Sequence, residues 1–259
     1  MFRPRLQGDV QIVGYETNGH EATLVVSNGD EIETRPLEAG TDLSYSLGER
    51  HCAGSVDGDV HHACDRPAAP HCDQHASTWV CARCTGTCLK AEMDCHETHV
   101  VYLAAFAPDT FKVGVTKEWR LETRLCEQGA DRGVRLHTVS DGRIAREIEA
   151  EIAHELVDRV RTPAKVDSLA EALDERAWAV LLTEYDVTER FTFDYGLDLE
   201  SRPVRETVLT GTVLGVKGRL VVLEAGGTNY AVDLRDLVGY DLEVGGTARR
   251  LQSSLGSFS

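Results

Sequence analysis

Long apolar runs are missing from this 259-residue chain. No stretch approaches the ~18 consecutive apolar residues of a membrane span, and the opening MFRPRLQGDVQIVGY lacks the apolar core of a signal peptide. These absences exclude a helical membrane protein and lead to the expectation of a cytoplasmic protein with no membrane partner. Lysine is scarce too: Lys90, Lys112, Lys117, Lys165 and Lys217 are the five lysines among 27 Lys and Arg residues. No internal repeat is evident, and beyond the Ser-rich end LQSSLGSFS there is no low-complexity tract. Outside one window the chain also has almost no cysteine. Cys126 alone lies beyond it, on an expected helix, and reads as a small buried apolar residue.

Within that window, seven of the eight cysteines run from Cys52 to Cys95 with one His among them, in the order Cys52, Cys64, Cys72, His75, Cys81, Cys84, Cys88, Cys95. Cys72-x2-His75 and Cys81-x2-Cys84 have the spacing that lets two side chains grip one ion from a tight turn. A reducing compartment disfavours disulfides. Buried free thiols would leave this segment, rich in Gly, Pro, Asp and Ser, with little apolar core. Eight soft donors divide into two tetrahedral sets, so two structural zinc ions are expected, in closed thiolate-rich sites rather than an open catalytic one. Sequential sets, with Cys52, Cys64, Cys72 and His75 first and Cys81, Cys84, Cys88 and Cys95 second, are the simplest. A cross-braced pairing, or entry of His71, His96 or His99, is the alternative.

The formal net charge is −16, and with so few lysines the composition resembles that of salt-in halophile proteins. Acidity is then a property of the whole surface and says little about partners, because at molar salt the Debye length shrinks to ~3 Å. From Lys112 to Arg146 the balance reverses, with Lys112, Lys117, Arg120, Arg124, Arg132, Arg135, Arg143 and Arg146 against Glu118, Glu122, Glu127, Asp131 and Asp141. That strip reads either as a nucleic-acid surface or as a solvated mixed-charge face.

Turn chemistry and periodicity organise the rest. Residues 8–37 read as β-structure, with hairpin turns at Asn18-Gly19 and Asn28-Gly29. From residue 99 the pattern predicts a strand in HVVYLAAF, a strand in FKVGVT, a helix over 118–128 stopped at Gly129, a strand in GVRLHTVS and a long helix over 143–160. Asp167-Ser168 suggests the cap of a further helix or helical pair, and from about 191 the chain returns to β-structure through GTVLGVKGRLVVLEAGG and TNYAVDL.

The stretch from 99 carries the most chemistry. Tyr102 ends the apolar opening HVVY, Lys112-Val113-Gly114 lies in the next strand, Arg124 on the following helix and Glu149 on a later one. Glu149 sits at the edge of the apolar stripe Ile144, Ile148, Ile152 and Leu156, whereas Glu147 and Glu151 turn outward. This order resembles the GIY-YIG nuclease superfamily, in which two short strands carry the name-giving motifs, a helix brings an arginine and a later helix a metal-binding glutamate. The resemblance implies Tyr102 as general base or positioner of the nucleophile, Arg124 on phosphate and Glu149 on Mg or Mn, with Lys112 standing where a second tyrosine is usual. A lysine cation near the phenol would favour its phenolate. Lys117, Arg120, Arg132, Arg135 and Arg143 would then line the nucleic acid. The plainer readings are a core tyrosine, an edge lysine and a Glu149 paired with Arg146.

A narrower resemblance covers nearly the whole chain. KVGVTKEWRLETRLCEQGA, preceded by the Cys-rich segment ending in CHETHVVYLA and followed by GTVLGVKGRLVVL, resembles the domain of unknown function family 2797. It implies architecture and little about activity. The expected fold class is α+β: an N-terminal β-hairpin domain over 1–49, a two-zinc Cys/His segment over 50–98, a GIY-YIG-like α/β domain with following helices over 99–190, and a small C-terminal β domain over 191–259. Three functions follow: a divalent-metal-dependent nuclease, a non-catalytic zinc protein bound to RNA or the ribosome, and a protein-interaction scaffold. Coincidence of the basic strip with the motif strip favours nucleic acid, RNA or DNA, as the partner.

Overall fold

The computed structural model describes residues 10–76, 96–157 and 159–247. The first stretch gives β1 (Val10–Thr17), β2 (Ala22–Asn28), β3 (Glu31–Pro36), β4 (Asp42–Arg50), β5 (Ser55–Asp57) and β6 (Val60–His62). The middle stretch gives β7 (His99–Phe106), β8 (Thr110–Lys117), a 3-10 turn (Glu118–Arg120), α1 (Leu121–Gln128), β9 (Arg132–Val139) and α2 (Gly142–Ile152), and the last stretch opens with α3 (Thr162–Asp167), α4 (Glu175–Leu181) and β10 (Glu189–Thr192). It continues with β11 (Val204–Arg205), β12 (Leu209–Lys217), β13 (Leu220–Ala225), β14 (Thr228–Asp233), α5 (Leu234–Leu237) and β15 (Tyr240–Val244). No helix among the described residues is long and apolar enough to cross a membrane.

Two compact units result. One joins residues 1–76 with 195–259, and the other spans Ser77–Asp194. The first unit is built on an 11-stranded sheet in the order β11-β14-β13-β12-β4-β15-β1-β2-β3-β6-β5. Both Asn-Gly hairpins form as the turn residues dictate: Asn18 Oδ1 accepts from the amides of His20 and Glu21, and Gly29 takes the left-handed φ of 67° that a side chain resists. Segments read from sequence as separate β domains over 1–49 and 191–259 supply neighbouring strands of this sheet. β15 lies between β1 and β4, with Val10 opposite Leu242 and Leu242 opposite Leu47. β12 pairs with the other edge of β4, Leu209 opposite Tyr45. Ile12, Leu24 and Val26 share one apolar core with Val213, Leu223, Val232 and Leu237. Alternation and turn residues specify each hairpin but carry no signal for such long-range pairings.

The second unit is a four-stranded antiparallel sheet, β10-β9-β7-β8. β7 is central and covered on both faces, which explains its unbroken apolar sequence. Val101, Leu103 and Ala105 face the core completed by Ala145, Ile148 and Ile152 of α2 and Trp178 of α4. Tyr102 and Ala104 take the opposite face, where their partners across the ladder are Gly114 and Gly133. A Cβ at Gly114 would come within 2.5 Å of the Tyr102 hydroxyl, and one at Gly133 within 2.5 Å of Leu125 of α1. Those two glycines make the room that the phenol and α1 occupy. α1 stops at Gly129, as expected, with φ 70°.

The helices depart from the sequence reading in three places. α2 ends at Ile152 rather than near 160, because the chain turns out to lay Val157 against the open edge of β8, its carbonyl accepting from the Val113 amide at 3.1 Å. Ile144, placed in the buried stripe, is exposed, while Ile148, Ile152 and Leu156 pack. Asp167 and Ser168 end α3 instead of starting a helix; the N-cap is Asp174, whose carboxylate accepts from the amides of Arg176 and Ala177.

Candidate functional site

Cys52, Cys64, Cys72 and His75 converge so that one ligand atom of each lies within 4.8 Å of the others. Local structure accounts for this. Cys52 follows β4, the short hairpin β5–β6 folds the chain back to bring in Cys64, and a turn with the His75 amide donating to the Cys72 carbonyl at 3.0 Å presents the last two. Cys52 Sγ is 3.3 Å and Cys72 Sγ 3.4 Å from His75 Nδ1, and the sulfurs of Cys64 and Cys72 are 4.0 Å apart. Tetrahedral zinc with Zn–S near 2.3 Å separates two sulfurs by about 3.8 Å, so the spacing suits one ion and is far too long for a disulfide. Amides of Gly54 and Cys72 point at Cys52 Sγ, at 3.4 and 3.2 Å. Burial opposes ionisation of Cys72, yet the amides of Gln74 and His75 and the neighbouring thiols of Cys52 and Cys64 outweigh it and bring the thiol down to about 6. Buried Cys52 and Cys72 with half-buried Cys64 and His75 make a set of soft donors that could hold a metal ion such as zinc.

A polar lattice that the sequence reading missed fixes the loop to the sheet. His51 places Nδ1 3.0 Å from the Cys64 carbonyl and Nε2 3.1 Å from the Asp241 carboxylate of β15. Gln11 of β1, wholly buried, donates to the Gly239 carbonyl at 3.0 Å and also reaches the ring of His51. Gly239 has φ 97°, and a Cβ there would stand 2.3 Å from the His51 carbonyl. Contacts of this kind orient metal ligands. The one signal for them in the sequence is a glutamine inside an apolar strand.

His71, His96 and His99 are outside this four-residue set. His71 bonds to the Gly54 backbone, and burial lowers its imidazole's affinity for a proton. His99 faces the Glu97 carbonyl, and His96 stands 4.0 Å from Asp141. The second expected set, Cys81, Cys84, Cys88 and Cys95, lies outside the described residues. Cys126 is buried, as expected, and burial first, then Glu122 and Glu127, pushes its thiol up to about 11.

In the central unit the Tyr102 hydroxyl accepts from Gln128 Nε2 at 2.8 Å. Burial pushes the phenol above its ordinary range, opposed by the Arg124 guanidinium and the Gln128 hydrogen bond and reinforced by the Glu149 charge. Tyr102, Arg124 and Glu149 thus lie within electrostatic reach of one another. The phenol is thus raised, chiefly by desolvation, where a nearby Lys112 was expected to favour its phenolate. Lys112 pairs across the ladder with Ala104 and forms a parallel bridge with Val157. Glu149 is half-buried and bonded to Arg146.

The basic strip is matched by glutamates. Lys117 binds Glu97 at 2.8 Å, Arg120 and Arg124 share Glu127 at 2.9 and 3.3 Å, and Arg143 stands 3.6 Å from Glu147. Arg135 is held between Glu118 and Glu189, both at 2.8 Å, and Arg132 pairs with Glu175.

No curated protein and no solved structure matches the chain. Residues 48–242 match the family described as "Protein of unknown function (DUF2797)", a span running from the last residues of β4 through the metal cluster and the whole central sheet into β15. With three quarters of its length inside that match, the chain belongs to this family.

Proposed function

We propose that the chain is a zinc-containing, nucleic-acid-binding protein of the cytoplasm, with a GIY-YIG-like central unit that holds a phosphodiester backbone without cleaving it. The observation supporting binding over cleavage is the burial of Tyr102, whose hydroxyl already accepts from Gln128 and whose phenol is held neutral. A general base has to reach its proton and lose its own near the working pH. The ion pairs of the basic strip do not forbid phosphate, since exposed pairs contribute only about 0–1 kcal/mol and can be exchanged. Thiolate ligands suit a reducing cytoplasm. The acidic, lysine-poor composition suits work at high salt, with RNA, the ribosome included, or DNA as the partner.

One observation favours the second reading, a hydrolase with Mg or Mn at Glu149: the charges of both Arg124 and Glu149 act on Tyr102. Binding and cleavage of structured, duplex and single-stranded RNA and DNA, at high KCl with and without Mg²⁺ or Mn²⁺, separate the two. Binding alone, weakened by Arg124→Ala and unchanged or tightened by Glu149→Gln, is the expected result. Metal-dependent cleavage abolished by Glu149→Gln and reduced by Tyr102→Phe would establish the hydrolase. Absence of binding to every substrate would leave a protein-interaction scaffold.

A further inference from the structure

We propose that Trp119 is a stacking platform for an unpaired base of single-stranded RNA or DNA, with the adjoining phosphate taken by Arg120 and Arg124. This deepens the nucleic-acid reading above and rests on it.

Trp119 sits on the 3-10 turn between β8 and α1, and no residue of that turn is buried. With 74% of its surface exposed, it is the largest apolar side chain left open among the described residues. Covering that ring would have stabilised the fold, and the chain leaves it out. The ring is nonetheless oriented. The Glu97 carboxylate is bonded by Lys117 at 2.8 Å and by the indole N–H, which together draw it below the usual carboxylate range. A side chain held by one edge keeps its ring positioned before any ligand arrives, which lowers the ordering cost of binding.

The cations are placed to complement such a ring. The Arg120 guanidinium lies 5.8 Å from the indole centroid. Arg120 shares Glu127 with Arg124, so two guanidinium groups have this one carboxylate between them, and both are more than 40% exposed. A planar fork offers a phosphate two parallel hydrogen bonds. An indole face beside phosphate-binding forks is the arrangement that takes a base and its backbone together. A paired base has both faces covered by its neighbours, so the ligand is single-stranded. Stacking also persists at high ionic strength, where attraction between separated charges is screened within ~3 Å at 1 M salt. The turn leads directly into α1, the helix that carries Arg124 and Gln128, the two residues that reach Tyr102.

The test uses the full-length, zinc-loaded chain and fluorescently labelled oligonucleotides of a dozen or so nucleotides, as RNA, DNA, their duplexes and an abasic backbone of the same length, at high KCl. Trp119→Ala is expected to weaken single-strand binding about 5- to 150-fold, the range for loss of one base–aromatic stack. Trp119→Phe, which keeps a ring, should bind within a few-fold of wild type. The abasic strand should not distinguish wild type from Trp119→Ala. Quenching of tryptophan emission by the base-bearing strand should disappear in Trp119→Phe, although Trp79 and Trp178 remain. The RNA and DNA arms show which backbone supplies the base. If wild type binds while Trp119→Ala binds within twofold of it, or if duplex binds as tightly as single strand, the platform is overturned and the broader nucleic-acid reading stands. If no oligonucleotide binds wild type, the platform is overturned together with that reading.

Discussion

The two units of this protein solve the same problem with different materials. In the eleven-stranded unit, the loop from His51 to Ala76 contributes few large apolar side chains; thiols, an imidazole and main-chain bonds to Gly239 and Pro70 keep it in place. In the central unit an apolar layer of Val101, Leu103, Val134, Trp178 and Leu182 holds α2 and α4 on the sheet, and charges are matched pairwise outside it. Order in the first loop therefore rests on polar contacts and on a donor set that could hold a metal ion. Order in the second sheet is intrinsic to the chain.

Metal removal tests that contrast most severely. Structural zinc contributes roughly 10–16 kcal/mol of apparent free energy in small zinc-folded units, so chelation should strip hydrogen-exchange protection from the amides of His51, Cys52 and Ala53 while Val101 and Leu103 keep theirs. Equal protection at both places before and after chelation would erase the distinction. Trp178→Ala attacks the other side and should destabilise the central sheet by about 3–5 kcal/mol without altering zinc content; loss of zinc in that variant would show that the core also supports the metal loop.

A smaller change sharpens the first half of the contrast. Asp241→Asn leaves all four ligands but removes the charge facing His51, and is expected to weaken zinc about 10- to 100-fold, measured by competition with a chromogenic chelator. Unchanged affinity would mean that the lattice of Gln11, His51 and Asp241 acts on the sheet and not on the ligands. The smallest effect is a slope with pH. The folded state raises the phenol of Tyr102, so the contribution of this group is intact below the unfolded value near 10 and is lost as pH rises through the folded one. Denaturation midpoints of the central unit should fall above about pH 10, more steeply in wild type than in Tyr102→Phe. The slope left in that variant is assigned to Tyr185 and Cys126, both also raised by burial.

Local features were legible in the sequence where one residue decides the outcome. Asn18-Gly19, Asn28-Gly29 and Gly129 gave their turns and cap, and Cys72-x2-His75 gave half of a metal set whose other half, Cys52 and Cys64, was also named. The whole of β7 could be read because an unbroken apolar strand implies cover on both faces. Pairings across the chain were not legible: nothing in YDLEV says that it belongs between VQIVGYET and DLSYSLGER. Nor was the state of Tyr102, since a phenol beside cations in sequence can be wholly desolvated in space. The basic strip showed its charges but not its partners, because Glu97, Glu175 and Glu189 come from distant elements.

The place of β15 has a temporal consequence. β1 and β4 do not pair with each other; each pairs with a strand that begins at Tyr240. On a ribosome the first sheet cannot be completed until residue 244 has emerged, whereas every strand of the central sheet is available once residue 192 is out. The central unit should thus finish folding while β1 through β4 still wait with an open seam, a gap in time set by chain order and lengthened by the cost of closing so distant a contact. During that interval the metal loop beside β4 lacks the Asp241 and Gly239 contacts that steady it, so early-captured zinc and late-arriving β15 would complete the same junction from segments far apart in sequence.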